Sequence, residues 1–238
     1  MNDVRRAYDA WHAGLDADAA ADAPWHRLVR EHLPRLAGLR VLEVACGRGG
    51  FAAWLAAQGP ALLVGADFSR TAVAKAAALA RSAEAGALRL AVADVQRLAF
   101  RDGTFDLVVS CETVEHLADP RAGVRELARV LRPGGTLLLT TPNYLGPMGL
   151  HRAWRAATGR PYTEAGQPLN RFTLVPRTLA WVRAGGLRVR AVDGAGHYLP
   201  RPRRPPVALH ALERRRALRW LALHSLVEAT KPDTAGTG

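Results

Sequence analysis

The sequence predicts an α/β fold: a doubly wound, mostly parallel seven-stranded sheet with helices on both faces. Three observations carry this. Between residues 40 and 140, short apolar runs alternate with helix-forming stretches, the pattern of parallel strands buried on both sides. The first run ends in a small-residue turn, Ala45-Cys46-Gly47-Arg48-Gly49-Gly50, directly before a helix-forming run. An acid, Asp67, closes the second run, twenty residues after Gly47. Glycines at such a junction let the backbone pass close beneath a ligand, and the helix that follows offers unpaired N–H groups. The arrangement points to a nucleotide-type cofactor at the carboxyl end of the first strand.

The elements follow in order. Residues 3–37 read as two short helices, with Tyr8, Trp11, Trp25, Leu28, Val29, His32 and Leu33 at helical spacings. Strand one is Arg40–Val44, followed by a helix from Gly50 to Gln58. Strand two is Ala61–Gly65, with a helix from Arg70 to Ala85. Strand three is Leu88–Val92 and strand four Phe105–Ser110, with a helix from Arg121 to Leu131. Arg132-Pro133-Gly134-Gly135 stops that helix and turns the chain into strand five, Thr136–Thr140. Beyond Pro142 the pattern changes. Thr178–Ala184 reads as a helix and Leu187–Val192 as a strand. Residues 200–206 read as a stiff basic linker. Val207–Trp220 reads as a helix and Leu223–Ala229 as a last strand. We read a single domain in four parts: a helical cap (1–37), a cofactor-binding core (38–143), a lid (144–176) and carboxyl-terminal helices and strands (177–232).

Composition bounds the function. Apolar residues make up 49% of 238, enough for a full core, and no apolar run reaches the length of a membrane span. The acid-dotted start is unlike a signal peptide, and two cysteines without zinc-type spacing suggest reduced thiols, so a cytoplasmic location is expected. The net charge is +12 and is segregated. Residues 151–238 hold 16 Lys and Arg against 5 Asp and Glu; residues 1–150 are nearly balanced, at 17 and 16. A basic half suggests an acidic partner: an anionic small-molecule substrate, a nucleic acid or an anionic membrane surface.

Several residues carry candidate chemistry. Glu43 can accept hydrogen bonds from a cationic cofactor, or tie down backbone amides. Asp67 can hold two ribose hydroxyls, or cap the next helix, for which Ser69 is equally suited. Asp94 can take an exocyclic adenine amine, or form a turn. Spacing alone does not separate two cofactors, because Gly47-x-Gly49-x-x-Ala52 with Asp67 also satisfies a NAD fingerprint.

Later motifs break the tie by resemblance. They are Val41-Leu42-Glu43-Val44-Ala45-Cys46-Gly47-Arg48-Gly49, Gly65-Ala66-Asp67-Phe68-Ser69 and Ala93-Asp94-Val95. They continue with Phe105–Ser110, Val114-Glu115-His116-Leu117-Ala118-Asp119-Pro120, Arg129–Thr136 and Thr141-Pro142-Asn143. In this order, over residues 40–143, the chain resembles a class I S-adenosylmethionine-dependent methyltransferase. It most resembles the small-molecule branch that includes ubiquinone-biosynthesis O-methyltransferases. The resemblance implies a Rossmann-like methyltransferase fold and S-adenosylmethionine as cofactor. It places Glu43, Ala45, Gly47, Gly49, Asp67, Phe68, Asp94, Val95, Ser110 and Cys111 around that cofactor. Gly47 and Gly49 would admit the methionine part, Asp67 the ribose, and Asp94 with Val95 the adenine. Ser110-Cys111-Glu112 would lie near the sulfonium. Ala45 departs from the glycine often found there.

His116 is the candidate general base, since its ordinary pKa suits proton removal at neutral pH; the alternative is a histidine that only ties its loop. Glu112, Glu115 and His116 resemble an acidic–histidine cluster linked to a divalent metal in quinone-pathway relatives. Adjacent Glu115 and His116 diverge on a helix, so no metal site is expected. The lid would supply substrate contacts: Tyr144, His151, Trp154, Tyr162, Asn170 and Arg171. Arg171 could grip a carboxylate or phosphate with two hydrogen bonds, or stand solvated. His197-Tyr198 reads as pocket mouth or as packing. Val207–Trp220, with Arg214, Arg215, Arg216 and Arg219, reads as a helix that either rests on a bilayer or packs on the sheet.

The expected activity is methyl transfer to an oxygen or nitrogen of a small molecule, acidic or lipid-like. A NAD-dependent oxidoreductase and a non-catalytic basic adaptor are the alternatives. The Asn/Asp-Pro-Pro-Tyr/Phe signature of nucleic-acid amino methyltransferases is missing, which argues against nucleic acid as substrate.

Overall fold

The computed structural model describes residues 2–15, 21–82, 86–160, 166–201, 204–213 and 215–233. Seven strands form the main sheet: β1 Arg40–Val44, β2 Leu62–Asp67, β3 Leu88–Val92, β4 Phe105–Ser110, β5 Leu131–Pro142, β6 Arg188–Ala195 and β9 His224–Thr230. Their order is β3-β2-β1-β4-β5-β9-β6. The first five run parallel, and β9 lies antiparallel between β5 and β6. Strand order reverses between β1 and β4, which opens a crevice at their carboxyl ends.

Helices cover both faces, as continuous apolar strands require. One apolar layer joins α5 (Pro120–Val130) and α7 (Val175–Ala184) to the sheet through Val124, Leu127, Leu179 and Val182. The opposite layer joins α2 (Pro24–His32) and α3 (Gly50–Ala56) through Leu28, Val29, Phe51 and Leu55. Asp119 caps α5 by accepting from the Arg121 and Ala122 amides, with Pro120 at the first position. The stretch 132–135 is not a turn ahead of β5 but a bulge within it. The ladder with β4 shifts between Phe105 opposite Leu131 and Leu107 opposite Thr136, and Gly134 takes φ +71°.

Helices α1 (Asn2–Ala13) and α4 (Arg70–Ser82) are fastened at both ends. Asp9 of α1 accepts from the Ser69 hydroxyl at 2.6 Å and the Thr71 amide at 3.1 Å, at the amino end of α4. Lys75 of α4 donates to the carbonyls of His12 and Leu15, at the carboxyl end of α1. Each charge thus meets the helix pole of opposite sign. Helix α2 is held to the antiparallel strands by His32, which bonds Glu228 at 2.8 Å and Asp193 at 3.3 Å.

Past Pro142 the structure corrects two readings. Residues 200–206 are not a spacer. Strands β7 (Tyr198–Arg201) and β8 (Arg204–Ala208) pair antiparallel, with Leu199 opposite Val207. Prolines are admissible there because the ladder is a two-stranded edge. Val207–Trp220 is not one helix. Pairing claims the chain through Ala208, and Leu209 donates to His197. What remains is too short to nucleate a full helix. It forms a four-residue helix, α8 (His210–Glu213), and a 3-10 turn at Arg216–Leu221. Arg214 lies outside the described residues. The predicted lid contains α6 (Pro147–Ala157). Among the described residues, no helix is long and apolar enough to cross a membrane.

Candidate active site

A cavity of about 710 Å³ opens at the carboxyl ends of β1, β2 and β4. Its floor is the turn after β1. Ala45 stands there at φ +53° and Gly47 at φ +55°, so Ala45 occupies the left-handed region where glycine is at ease and alanine is strained. A Cβ on Gly47 would find His12 Cε1 at 3.9 Å, ordinary contact. Gly49, at φ +86°, serves another purpose. A Cβ there would stand 2.8 Å from the Ala76 Cβ, so Gly49 lets α3 and α4 touch. It does not line the cavity.

Two buried carboxyls face this floor. Asp67 accepts from the Gly47 amide and the Ser69 amide, both at 2.8 Å. Burial pushes its pKa up to about 6 despite those amides. Glu43 is pushed up to about 8, by burial first and by the charge of Asp67 second. Its Oε2 is buried and has no hydrogen-bond partner among the described residues. A buried carboxyl oxygen without a donor is expensive unless a ligand supplies one. Asp94, Val95, Gln96 and Arg97 form a further wall, where Asp94 accepts from the Gln96 amide at 2.9 Å.

The segment after β4 forms the side nearest the switch point. Cys111, Glu112, Thr113 and His116 line it. Glu112 takes φ +45°, a second strained non-glycine residue at a strand end, and its Oε2 lies 3.1 Å from His224 Nδ1 of β9. His116 Nδ1 bonds the Leu169 carbonyl at 2.5 Å, and Nε2 lies 3.5 Å from the fully buried Glu115. An imidazole nitrogen that meets a carbonyl carries the proton, so a neutral His116 has its lone pair on Nε2. Glu115 also accepts from the Thr141 hydroxyl. Glu112 and Glu115 therefore turn toward different partners. Among the described residues, no three His, Cys, Asp or Glu side chains are gathered to hold a metal ion. Burial raises both Cys46 and Cys111 well above the ordinary thiol range.

The structure brings Glu43, Ala45, Gly47, Asp67, Phe68, Asp94, Val95, Cys111 and His116 to one cavity. Ser110 is fully buried within the sheet and does not line it. The predicted substrate residues sit elsewhere. Tyr144 is buried, stacked on Phe172 beneath the Arg152 guanidinium. His151 and Trp154 lie on α6, away from the cavity. Asn170 accepts from Arg152. Arg171 donates to the carbonyls of Leu117 and Ala118, binding the lid to the loop after β4. The Asn170 and Arg171 side chains thus bond neighbours within the lid and the loop after β4, and none of these residues lines the cavity. Tyr162 lies outside the described residues. His197 Nε2 donates to the Leu218 carbonyl at 2.9 Å and packs beneath the 3-10 turn.

The wall that sequence reasoning missed is the amino-terminal one. Tyr8, Trp11 and His12 of α1 and Trp25 and His26 of α2 roof the cavity. Burial pushes His12 and His26 down to about 4, so both stay neutral near pH 7. His26 stacks on Phe51 at 4.4 Å. The available signal was a row of aromatic and imidazole side chains on helices otherwise rich in charge. Among the described residues, none of the arginines of 151–238 lines the cavity, and the arginines that do are Arg48 and Arg97.

Comparison with known proteins bears on the family and the fold. The methyltransferase domain family matches residues 42–139. Methyltransferase GfsG of Streptomyces halstedii is 36% identical over 136 residues, 56% of this chain and 49% of that protein. The ubiquinone biosynthesis O-methyltransferase of Escherichia coli is 30% identical over 192 residues, 74% of this chain and 76% of that one. The chain thus spans about half the length of the first relative and three quarters of the second. An S-adenosylmethionine-dependent methyltransferase structure from Mesorhizobium loti shares the fold at TM-score 0.64 and 21% identity, over 90% of this chain and all of that one. With its strand order, its glycine turn and its three-quarter match to a named enzyme, the chain belongs to the class I S-adenosylmethionine-dependent methyltransferases.

Proposed function

We propose that this protein transfers a methyl group from S-adenosylmethionine to an oxygen or nitrogen of a small-molecule acceptor. One observation carries the reading: the buried, donor-less Glu43 oxygen beside Asp67, at the switch point of a chain of this family. A cationic amine would satisfy that oxygen, and the cavity volume suits a nucleoside-sized ligand with a second molecule beside it. Glu43 would hold the amino group of the methionine part, near Ala45 and Gly47. Asp67 would take the ribose hydroxyls, and Asp94 with Val95 the adenine.

Bound S-adenosylmethionine supplies a methyl already activated by a sulfonium. The protein's own task is to align an acceptor in line with it and exclude water. An acceptor held in line with that methyl would have a proton to give up, which the wall after β4 would have to take. His116 Nε2 would take the acceptor's proton, and the Glu115 carboxylate beside it would stabilise the resulting imidazolium. Among the described residues, the lining takes no arginine from the basic segment 151–238. The aromatic wall of Tyr8, Trp11, Trp25 and Phe51 favours an apolar, lipid-like one. Two free cysteines support a reducing, cytoplasmic compartment.

Calorimetry with S-adenosylhomocysteine tests the cofactor. Micromolar binding that Asp67→Ala abolishes is the expected result. No binding, with NAD bound instead, sinks the proposal. Turnover by His116→Ala equal to the parent with every acceptor found would remove His116 as the base.

A further inference from the structure

We propose that the face formed by α6, the β7–β8 hairpin and the 3-10 turn at Arg216–Leu221 is a docking surface for an anionic lipid bilayer. The inference stands apart from the proposed chemistry, because none of its residues lines the cavity. The apolar side chains come from three segments that touch. Helix α6 packs on β7. Gly146, before α6, lies against the Leu221 backbone so closely that a Cβ would collide with it. The Asn143 amide, at the end of β5, donates to the Trp220 and Ala222 carbonyls.

On this frame, large apolar groups stand in solvent. Leu150 is 77% exposed and Trp154, one turn further on α6, is 48% exposed. Leu199 and Val207, opposite each other in the hairpin ladder, are both exposed. Trp220 and Leu221 are exposed on the 3-10 turn. Scattered apolar residues on a surface need no explanation, but a clustered set that includes two tryptophans does. Tryptophan in particular favours the boundary between headgroups and acyl chains.

Charge selects the occupant. These segments belong to the half of the chain that holds 16 Lys and Arg against 5 Asp and Glu. One of those acids, Asp193, is already paired with Arg219. A second copy of the same face would meet like charge, which opposes self-association. An anionic leaflet offers the opposite charge and an apolar interior together. The position is also apt. Strands β5 and β6 leave the sheet at the same carboxyl edge that carries the cavity, and the three segments follow directly from them.

The test is co-sedimentation of the full chain with vesicles of phosphatidylcholine alone and with added phosphatidylglycerol. Binding to the anionic vesicles should exceed binding to neutral ones by roughly tenfold or more and weaken with salt. Leu150→Asp combined with Trp154→Ser should reduce it by roughly tenfold while leaving the melting temperature and S-adenosylhomocysteine binding unchanged. Equal or no binding to the two vesicles overturns the proposal. So does undiminished binding by the double variant, or polyglutamate in solution binding as tightly as vesicles. A stable dimer by light scattering that the double variant dissolves overturns it in favour of a second copy.

Discussion

At the residue scale, two glycines two positions apart have different duties, and substitution separates them. Gly49→Ala forces a methyl against Ala76 at a left-handed φ. It should destabilise the fold by about 2–4 kcal/mol with little effect on cofactor affinity per folded molecule. Gly47→Ala has room and pays only the backbone strain, about 1 kcal/mol, but places its methyl on the cavity floor. Its S-adenosylhomocysteine affinity should fall roughly tenfold or more. Urea melts paired with calorimetry distinguish the two. Glu43 makes a pH prediction. Burial raises its folded pKa from 4.5 to about 8, so the fold prefers the protonated acid. That preference is fully present below pH 4.5 and is lost as pH rises through 8. Glu43→Gln should flatten this decline and gain at least about 1 kcal/mol over the parent at pH 8, while binding S-adenosylhomocysteine about tenfold more weakly. A Gln variant that melts like the parent across this range would refute the assignment.

At the element scale, the sequence was most readable where strands are parallel and buried. Bounds for β1, β3 and β4 match the apolar runs residue for residue; β1 and β4 lie inside the sheet with nearly every position buried, while β3, at its edge, keeps the apolar run although Arg89 and Val92 are exposed. Past Pro142 that logic weakens. The pairing of Leu199 with Val207 depends on partners across a turn, and no local periodicity announces it. The lid's polar residues looked like substrate contacts because the neighbours that claim them, Leu117, Ala118 and Arg152, are distant in sequence or absorbed by packing. Conversely α1 and α2 read simply as helices, and only their fastening shows them to be the cavity roof. Asp9→Ala removes both bonds to the start of α4. It should cost about 1–2 kcal/mol and speed amide exchange in α1 more than elsewhere. Uniform acceleration across the protein would count against α1 as a separately hinged element.

At the scale of the whole molecule, the cavity draws walls from segments far apart in sequence, from Val4 to Leu169. Ligand binding therefore joins the roof, the floor and the loop after β4. Saturating S-adenosylhomocysteine, at a hundredfold its dissociation constant, should add about 2.7 kcal/mol and raise the melting temperature by roughly 5–10 °C. Protection measured by amide exchange should appear in α1 and α2 together with residues 111–118. Protection confined to the glycine turn would mean that the roof does not close on the ligand.

The placement of β9 has a consequence for how the protein is made. Among the described residues it comes after every other strand in sequence, yet it lies inside the sheet, between β5 and β6. A nascent chain that has emerged only as far as β6 has nothing to attach that strand to. Both strands wait, with edges open, until residues 224–230 leave the ribosome. The same segment delivers His224 to Glu112 and Glu228 to His32. This stretch, made after every other strand of the sheet, thus closes the sheet, fastens the roof helix and completes the wall after β4 in one event, so a chain cut before it should yield an aggregating fragment.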